Sequence, residues 1–227
     1  MKSFTRRAGL ALVVGALAAG GAVAQEKAAA PPPLKSVFKY LDAYLKIPAA
    51  ERDKFTLAYY MRASGGGGPP AGVKLYAVNG GQRTPLDVAD NGRVEHPSLS
   101  MLNSKATFAV DKPNPNVKLN FTMSLEPSAR PAAQMNAADL AAAVEQSNRG
   151  IRKAAGVIGL VAPKMAGVRG VGAGSGEVVL ADGKRAPLPV IGGAPTFMPA
   201  SFPGARTVVF ATTPSRLELG PAPKAKK

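Results

Sequence analysis

Gly81-Gln-Arg-Thr-Pro-Leu-Asp-Val88 decides the fold prediction, because a close copy of this stretch occurs later in the chain. The copy is Gly183-Lys-Arg-Ala-Pro-Leu-Pro-Val190, and the two agree at five of eight positions without a gap. Each is introduced by a tight-turn sequence typical of a β-hairpin. The agreement continues with small shifts, which match Gly92 with Gly193, Pro97 with Pro199, Thr107 with Thr207 and Pro113 with Pro214. Chance, or a shared preference for similar turns, would give the same pattern.

Short runs of alternating apolar and polar residues extend outward from both copies. Such alternation is typical of strands that are buried on one face. The chain also has 25 Gly and 21 Pro among 227 residues, which favours a turn-rich β protein over a helix bundle. Strands are therefore expected at about 55–61, 73–78, 84–88, 106–110 and 117–125, and again at about 166–171, 177–181, 186–190, 206–211 and 215–219.

Two helices are expected outside these strands. Ser36 is a candidate N-cap for large apolar residues at spacings of three and four, and this helix should end near Lys46. Asn136 is followed by Asp139 in a capping-box arrangement, which predicts a helix over about 137–155. Gly150 inside the second helix costs about 1 kcal/mol relative to Ala, so a bend or early fraying is expected there.

The sequence thus predicts an α+β fold, mainly antiparallel and β-sandwich-like. It should contain two similar β modules at about 55–127 and 166–219, an N-terminal helix, and a central helix between the modules. Residues 36–219 form a single domain in this interpretation, because one hairpin unit cannot bury a core alone. Residues 25–35 are expected to be a flexible linker, and 220–227 a disordered basic tail.

The first 24 residues have the anatomy of an export signal. Basic residues at positions 2, 6 and 7 precede an apolar run over 8–19, and Ala22-Val23-Ala24 supplies a small-x-small motif. This pattern predicts cleavage between Ala24 and Gln25. The Arg6-Arg7 pair leaves both the general secretory route and twin-arginine export open. No later stretch has the ~18–20 apolar residues of a membrane span, so a periplasmic or secreted protein of bacterial type is expected.

Positive charge is the most informative property of the composition. The chain has 29 Lys and Arg against 14 Asp and Glu, a formal charge of +15. Lys224, Lys226 and Lys227 close a proline-rich tail and are the candidate contacts with an anionic surface. Envelope lipids and polymers are anionic and attract such a protein over long range. Nucleic acid is not an expected partner, because most aromatic residues occupy core-like positions rather than a basic face.

The residues that carry most enzyme chemistry are scarce. The chain has no Cys and one His, which excludes thiolate nucleophiles, zinc–thiolate sites and multi-histidine metal sites. Two glycine-rich stretches, 64–70 and 170–176, lack the spacing and the following helix of a nucleotide-binding loop. His96 aligns with Met198 in the internal repeat, which favours a packing role. No catalytic residue, cofactor or metal is therefore assigned from the sequence.

These observations favour an exported, non-enzymatic binding or structural protein of the cell envelope, with weak affinity for anionic surfaces. A carrier of a small apolar ligand is an alternative, with Tyr59, Tyr60 and Tyr76 as candidate lining residues. A hydrolase that uses dispersed carboxylates is a third class, because the members of such a pair are often distant in sequence. The sequence leaves the oligomeric state open.

Overall fold

The computed structural model describes residues 30–65, 68–155 and 163–223. The predicted cleavage point between Ala24 and Gln25 lies outside these ranges, and so do the tail residues Lys224, Lys226 and Lys227. The α-helices are α1 (Leu34–Val37), α2 (Leu41–Lys46), α3 (Leu99–Asn103) and α4 (Ala137–Ala155), and two short 3-10 helices span Ala49–Glu51 and Pro199–Ser201. None of these helices is long and apolar enough to cross a membrane.

Strands account for most of the regular structure. The first seven are β1 (Phe55–Ala63), β2 (Lys74–Asn79), β3 (Gln82–Leu86), β4 (Arg93–Val94), β5 (Thr107–Asp111), β6 (Leu119–Pro127) and β7 (Gln134–Asn136). The remaining seven follow α4 and are β8 (Met165–Val171), β9 (Gly176–Leu180), β10 (Arg185–Pro187), β11 (Val190–Ile191), β12 (Ala194–Phe197), β13 (Ala205–Phe210) and β14 (Arg216–Pro221).

The strands form four antiparallel sheets, two in each module. The first module contains the sheets β4-β1-β6 and β3-β2-β5. The second contains β11-β12-β8-β14 and β10-β9-β13-β7. Helix α4 follows β7 and packs against strands of both modules. The predicted α+β, sandwich-like fold with a helix between two β modules is confirmed.

The two modules share strand order and register. The order β3-β2-β5 in the first module corresponds to β10-β9-β13 in the second, and β4-β1-β6 corresponds to β12-β8-β14. In the first module Val78 pairs with Thr107, and in the second Val179 pairs with Thr207. Tyr76 lies two residues before Val78 on β2, and Glu177 lies two residues before Val179 on β9. These two residues pair with the prolines of the repeat, Pro85 and Pro187 respectively. The sequence repeat is therefore a repeat of topology.

The turns of the two hairpins differ in length by one residue. Gly80 and Gly81 form a two-residue turn with φ values of 56° and 85°, the left-handed conformation that glycine tolerates best. Asn79 accordingly belongs to β2 and pairs with Gln82. The second hairpin has a three-residue loop, 181–183, closed by a hydrogen bond from Leu180 N–H to the Lys184 carbonyl. The additional residue is absorbed in the turn, so the register beyond it stays the same.

The prediction of one continuous N-terminal helix is wrong, because the structure has two short helices there. Tyr40 has a φ of 67° and separates α1 from α2, so no single helix runs from Ser36 to Lys46. Ser36 lies inside α1, where its hydroxyl donates to the Pro33 carbonyl at 2.7 Å instead of capping a helix. The break brings Leu34, Phe38 and Leu41 into the core, and all three are fully buried. The predicted end at Lys46 is confirmed.

The predicted flexible linker, 25–35, ends too late, because its last residues already pair with the domain. The carbonyl of Pro32 accepts a hydrogen bond from Phe108 N–H at 2.8 Å, and Leu34 N–H donates to the Ala106 carbonyl at 2.9 Å. Pro33 forms an antiparallel bridge with Thr107. This short segment therefore lies along the start of the edge strand β5, and the domain includes residues from Pro32 onward. The predicted disordered tail, 220–227, likewise begins too early, because Gly220 and Pro221 are paired at the end of β14.

Helix α4 has the predicted bounds, but Gly150 has a different role from the one expected. The helix is continuous through this residue. A Cβ atom at position 150 would lie 2.6 Å from the ring of Phe55, which is closer than any packed side chain allows. Gly150 thus lets α4 approach β1 closely. At the start of the helix, the Asn136 side chain accepts a hydrogen bond from Ala138 N–H at 2.8 Å, in agreement with its predicted capping role.

Candidate functional site: the cleft between the modules

The polar face of β1 and β6 is turned toward the second module. Paired residues of antiparallel strands share a face, and alternate residues point to the same side. Thr56 pairs with Glu126 and Tyr60 pairs with Thr122, so these side chains share one face of the sheet. The opposite face carries Phe55, Leu57, Tyr59 and Met61, which are buried in the hydrophobic core. Strand β6 packs beside β14 of the second module.

A cleft of about 330 Å³ opens where β6 and β14 meet. We call it the inter-module cleft. Its lining comes from β1, β4, β6, the segment after β6, and the start of β14. The side chains that give the cleft its chemical character are Tyr60, Arg93, Glu126, Arg130, Ser215 and Arg216.

Glu126 is the carboxylate that lines the inter-module cleft, and only 5% of its surface is exposed. The Tyr60 hydroxyl donates to Glu126 Oε1 at 2.6 Å, and Arg93 Nη1 lies 3.5 Å from Oε2. Burial raises the pKa of Glu126 above its usual value, while the Tyr60 hydrogen bond and the two nearby arginines oppose this rise. Burial and the Glu126 carboxylate also raise the pKa of Tyr60, so its phenol stays a hydrogen-bond donor.

Glu218 on β14 is an acid of the second module that lies near Glu126, and it is held by two arginines. Arg169 Nη2 lies 2.6 Å from Oε2, and Arg216 Nη2 lies 2.6 Å from Oε1. Arg216 also donates through Nε to Oε1 at 2.7 Å. Its guanidinium carbon is 5.4 Å from the centre of the Tyr60 ring, so this arginine contacts both modules.

The lining of the inter-module cleft carries more positive than negative charge. Arg93, Arg130 and Arg216 face a single lining carboxylate, Glu126. Arg130 is exposed and takes part in none of the ion pairs found within the described ranges. Guanidinium groups bind carboxylates and phosphates through paired, charge-assisted hydrogen bonds. The arrangement is therefore suited to an anionic ligand group.

His96 lies away from this cleft. Its ring packs edge-on against Tyr59, with 5.7 Å between the ring centres. Burial lowers the pKa of His96, and its Nε2 atom is buried with no hydrogen-bond partner among the residues described. The adjacent Glu95 is exposed, as expected for neighbours on an extended chain. These contacts support the packing role inferred from the repeat.

The three tyrosines proposed for a ligand carrier occupy three different environments. The Tyr59 hydroxyl donates to the Lys39 carbonyl within the core. Tyr60 belongs to the inter-module cleft, and the ring of Tyr76 lies under the Arg83 guanidinium at 3.9 Å. They do not line one gap, so they give no support to an apolar binding site.

Two further expectations concern loops and metals. The glycine-rich stretch 170–176 joins β8 to β9, which belong to different sheets, and a strand follows it instead of the helix of a nucleotide-binding loop. Within residues 30–65, 68–155 and 163–223, no group of three or more His, Asp or Glu side chains is arranged to hold a metal ion.

Comparison with known proteins finds no match for this chain. No family model matches it, and neither a search of curated proteins nor a search of solved structures finds a match.

Proposed function

We propose that this protein is an exported, non-enzymatic binding protein of the cell envelope that holds anionic components of that surface. The observation that carries the proposal is the set of three arginines, Arg93, Arg130 and Arg216, around one buried carboxylate in the inter-module cleft. Cleavage after Ala24 would remove three basic residues and no acidic ones, and the remaining formal charge of +12 adds a long-range attraction toward anionic lipids and polymers.

Binding to vesicles that contain anionic lipid, or to lipopolysaccharide, tests this proposal. We expect binding at low ionic strength that weakens steeply as salt rises, because the Debye length falls to about 8 Å at physiological salt. Deletion of 224–227 should weaken this binding, because it removes the three tail lysines and leaves β14 intact. Binding that is absent at low salt, or insensitive to salt, would contradict the proposal.

The proposed compartment has a separate test. N-terminal sequencing of protein recovered from the envelope fraction should begin at Gln25, or at its cyclised form. Recovery of the intact Met1 terminus from that fraction would contradict both the export signal and the location.

A hydrolase is the second candidate, because Glu126 has two properties of a general acid. Burial raises its pKa, and a second carboxylate, Glu218, lies outside the lining of the cleft but near enough to add to this rise. Glu218 itself is paired with Arg169 and Arg216. Release of product from an envelope polysaccharide, lost in Glu126→Gln while ligand binding persists, would favour the enzyme over the binding protein.

A further inference from the structure

We propose that the inter-module cleft binds a single acidic sugar unit, a sugar that carries a carboxylate or a phosphate, with Arg130 and Arg216 holding the anionic group. This inference rests on the proposed binding function and names the ligand chemistry that the cleft selects. Three properties of the lining carry it, namely its size, its hydroxyl and amide groups, and its unequal charge.

The size of the cleft fits one small polar unit. Its volume of about 330 Å³ lies at the lower end of the ~300–1,000 Å³ typical of small-molecule sites. The cleft is open on one side, because Asn91, Ser128 and Arg130 at its margin are exposed. One unit of a longer polymer would therefore enter while the neighbouring units extend into solvent.

The uncharged part of the lining is hydroxylic and amidic. Thr56, Ser128 and Ser215 contribute hydroxyl groups and Asn91 contributes an amide. Such groups both donate and accept hydrogen bonds, which matches the hydroxyls of a sugar ring. An acyl chain in the same place would leave these polar groups without hydrogen bonds, at a cost in binding free energy. The lining therefore favours a hydroxylated ligand over a lipid tail.

The charged part of the lining adds selection for an anion. Arg216 uses Nε and Nη2 to hold Glu218, and its remaining guanidinium N–H groups are available as donors. Arg130 lies at the margin of the cleft and forms no ion pair among the described residues. All of its guanidinium N–H groups are therefore available to donate hydrogen bonds to a ligand. A carboxylate and a phosphate monoester both fit this set of donors, and the two sources are separated by experiment.

Isothermal titration calorimetry of the purified protein at fixed low salt tests the ligand chemistry. The four probes are glucuronate, glucose 6-phosphate, glucose and inorganic phosphate. We expect either acidic sugar to bind at least about tenfold more tightly than both glucose and inorganic phosphate, because only an acidic sugar satisfies the hydroxyl and the arginine groups together. Comparison of glucuronate with glucose 6-phosphate identifies the preferred anionic group.

A matched pair of variants tests the place of binding. Arg130→Gln removes one positive charge from the cleft, whereas Arg206→Gln removes one from an exposed position on β13 that does not line it. Both variants have the same net charge, so diffuse attraction is weakened equally. We expect Arg130→Gln to weaken acidic-sugar binding by about tenfold, and Arg206→Gln to leave it within about twofold.

The results separate this inference from the function on which it rests. Glucose or inorganic phosphate binding as tightly as the acidic sugars would overturn it, and so would equal effects of the two variants. Salt-dependent binding to anionic vesicles, without any binding of acidic sugars, would overturn the sugar site and leave the proposed function standing. Failure to bind both vesicles and sugars would overturn both proposals.

Discussion

The two β modules share strand order and register, but their large core side chains come from different strands. In the first module the central strand β1 supplies large buried side chains, including Phe55, Tyr59 and Met61. In the second module the central strand β8 has a glycine at position 170, and the Phe210 ring from the facing sheet occupies the space. A Cβ atom on Gly170 would lie 2.5 Å from that ring. The turn residues and the alternation of apolar and polar residues therefore determine the topology of both modules. The strand that supplies the large core side chains differs from one module to the other.

The largest expected effect tests whether equivalent core positions of the two modules contribute equally to the free energy of unfolding. Leu86 and Leu188 occupy the same place in the repeat, and each is 6% exposed. Leu86→Ala and Leu188→Ala should each lower the free energy of unfolding by about 2–5 kcal/mol, by comparable amounts. Urea denaturation measures both, with the exposed Val190→Ala as a control that changes little. A large loss at only one of the leucines would break the equivalence of the modules.

A smaller effect tests the difference in packing. Gly170→Ala should destabilise the protein by about 1–3 kcal/mol, because the added methyl group overlaps the Phe210 ring. Gly68→Ala is the matched control, since a Cβ atom there meets nothing within 4 Å. The double variant Gly170→Ala with Phe210→Leu should recover part of the loss by making room. Thermal or urea unfolding that shows no difference between the two glycine variants would contradict this packing account.

The two interface acids should respond in opposite ways to neutralisation. Glu218→Gln leaves Arg169 and Arg216 without their carboxylate and should cost about 1–3 kcal/mol at pH 7. Glu126→Gln keeps an acceptor for the Tyr60 hydroxyl and removes a carboxyl whose pKa is raised by burial. We therefore expect Glu126→Gln to be at least as stable as the wild type at pH 7.

The sign of the pH effect follows from proton binding. Because the folded protein holds the Glu126 proton more tightly than the unfolded chain, wild-type stability falls as pH rises above the unfolded pKa of about 4.3. The slope is at most about 1.4 kcal/mol per pH unit, and it should be absent in Glu126→Gln. Unfolding measured between pH 4 and 7 gives this difference, and parallel profiles for wild type and variant would contradict the assignment.

The smallest expected effect concerns His96, which aligns with Met198 of the second module. His96→Met should change the free energy of unfolding at pH 7 by less than about 1.5 kcal/mol. Burial lowers the pKa of His96, so the wild type should lose stability as pH falls below about 6.5, and the variant should lose less. Loss of ligand binding in this variant at an unchanged thermal midpoint would return His96 to the candidates for function.

The fold was predictable where its signal is local. The repeat at 81–88 and 183–190, the turn glycines and the apolar spacing of 137–155 each act within a few residues, and these elements lie where expected. Strands such as β4 and β11 have two residues each, too few to show any periodicity. The break at Tyr40 was also hidden, because it depends on where α1 and α2 pack in the core and not on their own spacing.

The candidate site was less accessible from the sequence. Glu126 and Arg216 are far apart along the chain, and they meet only because two complete modules pack together. The one available signal was Glu126 itself, an acid near the end of an alternating strand, directly before Pro127. Sequence alone shows that such an acid exists, whereas its burial and its arginine neighbours depend on the second module.

The segment that lies along β5 has a consequence for the behaviour of the protein at high concentration. An open sheet edge is a template on which another chain can add a strand and begin to aggregate. Here the start of β5, at Thr107 and Phe108, is covered by a stretch that contains Pro32 and Pro33, and proline has no N–H group to offer a further strand. The start of this sheet edge is thus closed to the addition of another strand, which removes one place where aggregation could begin.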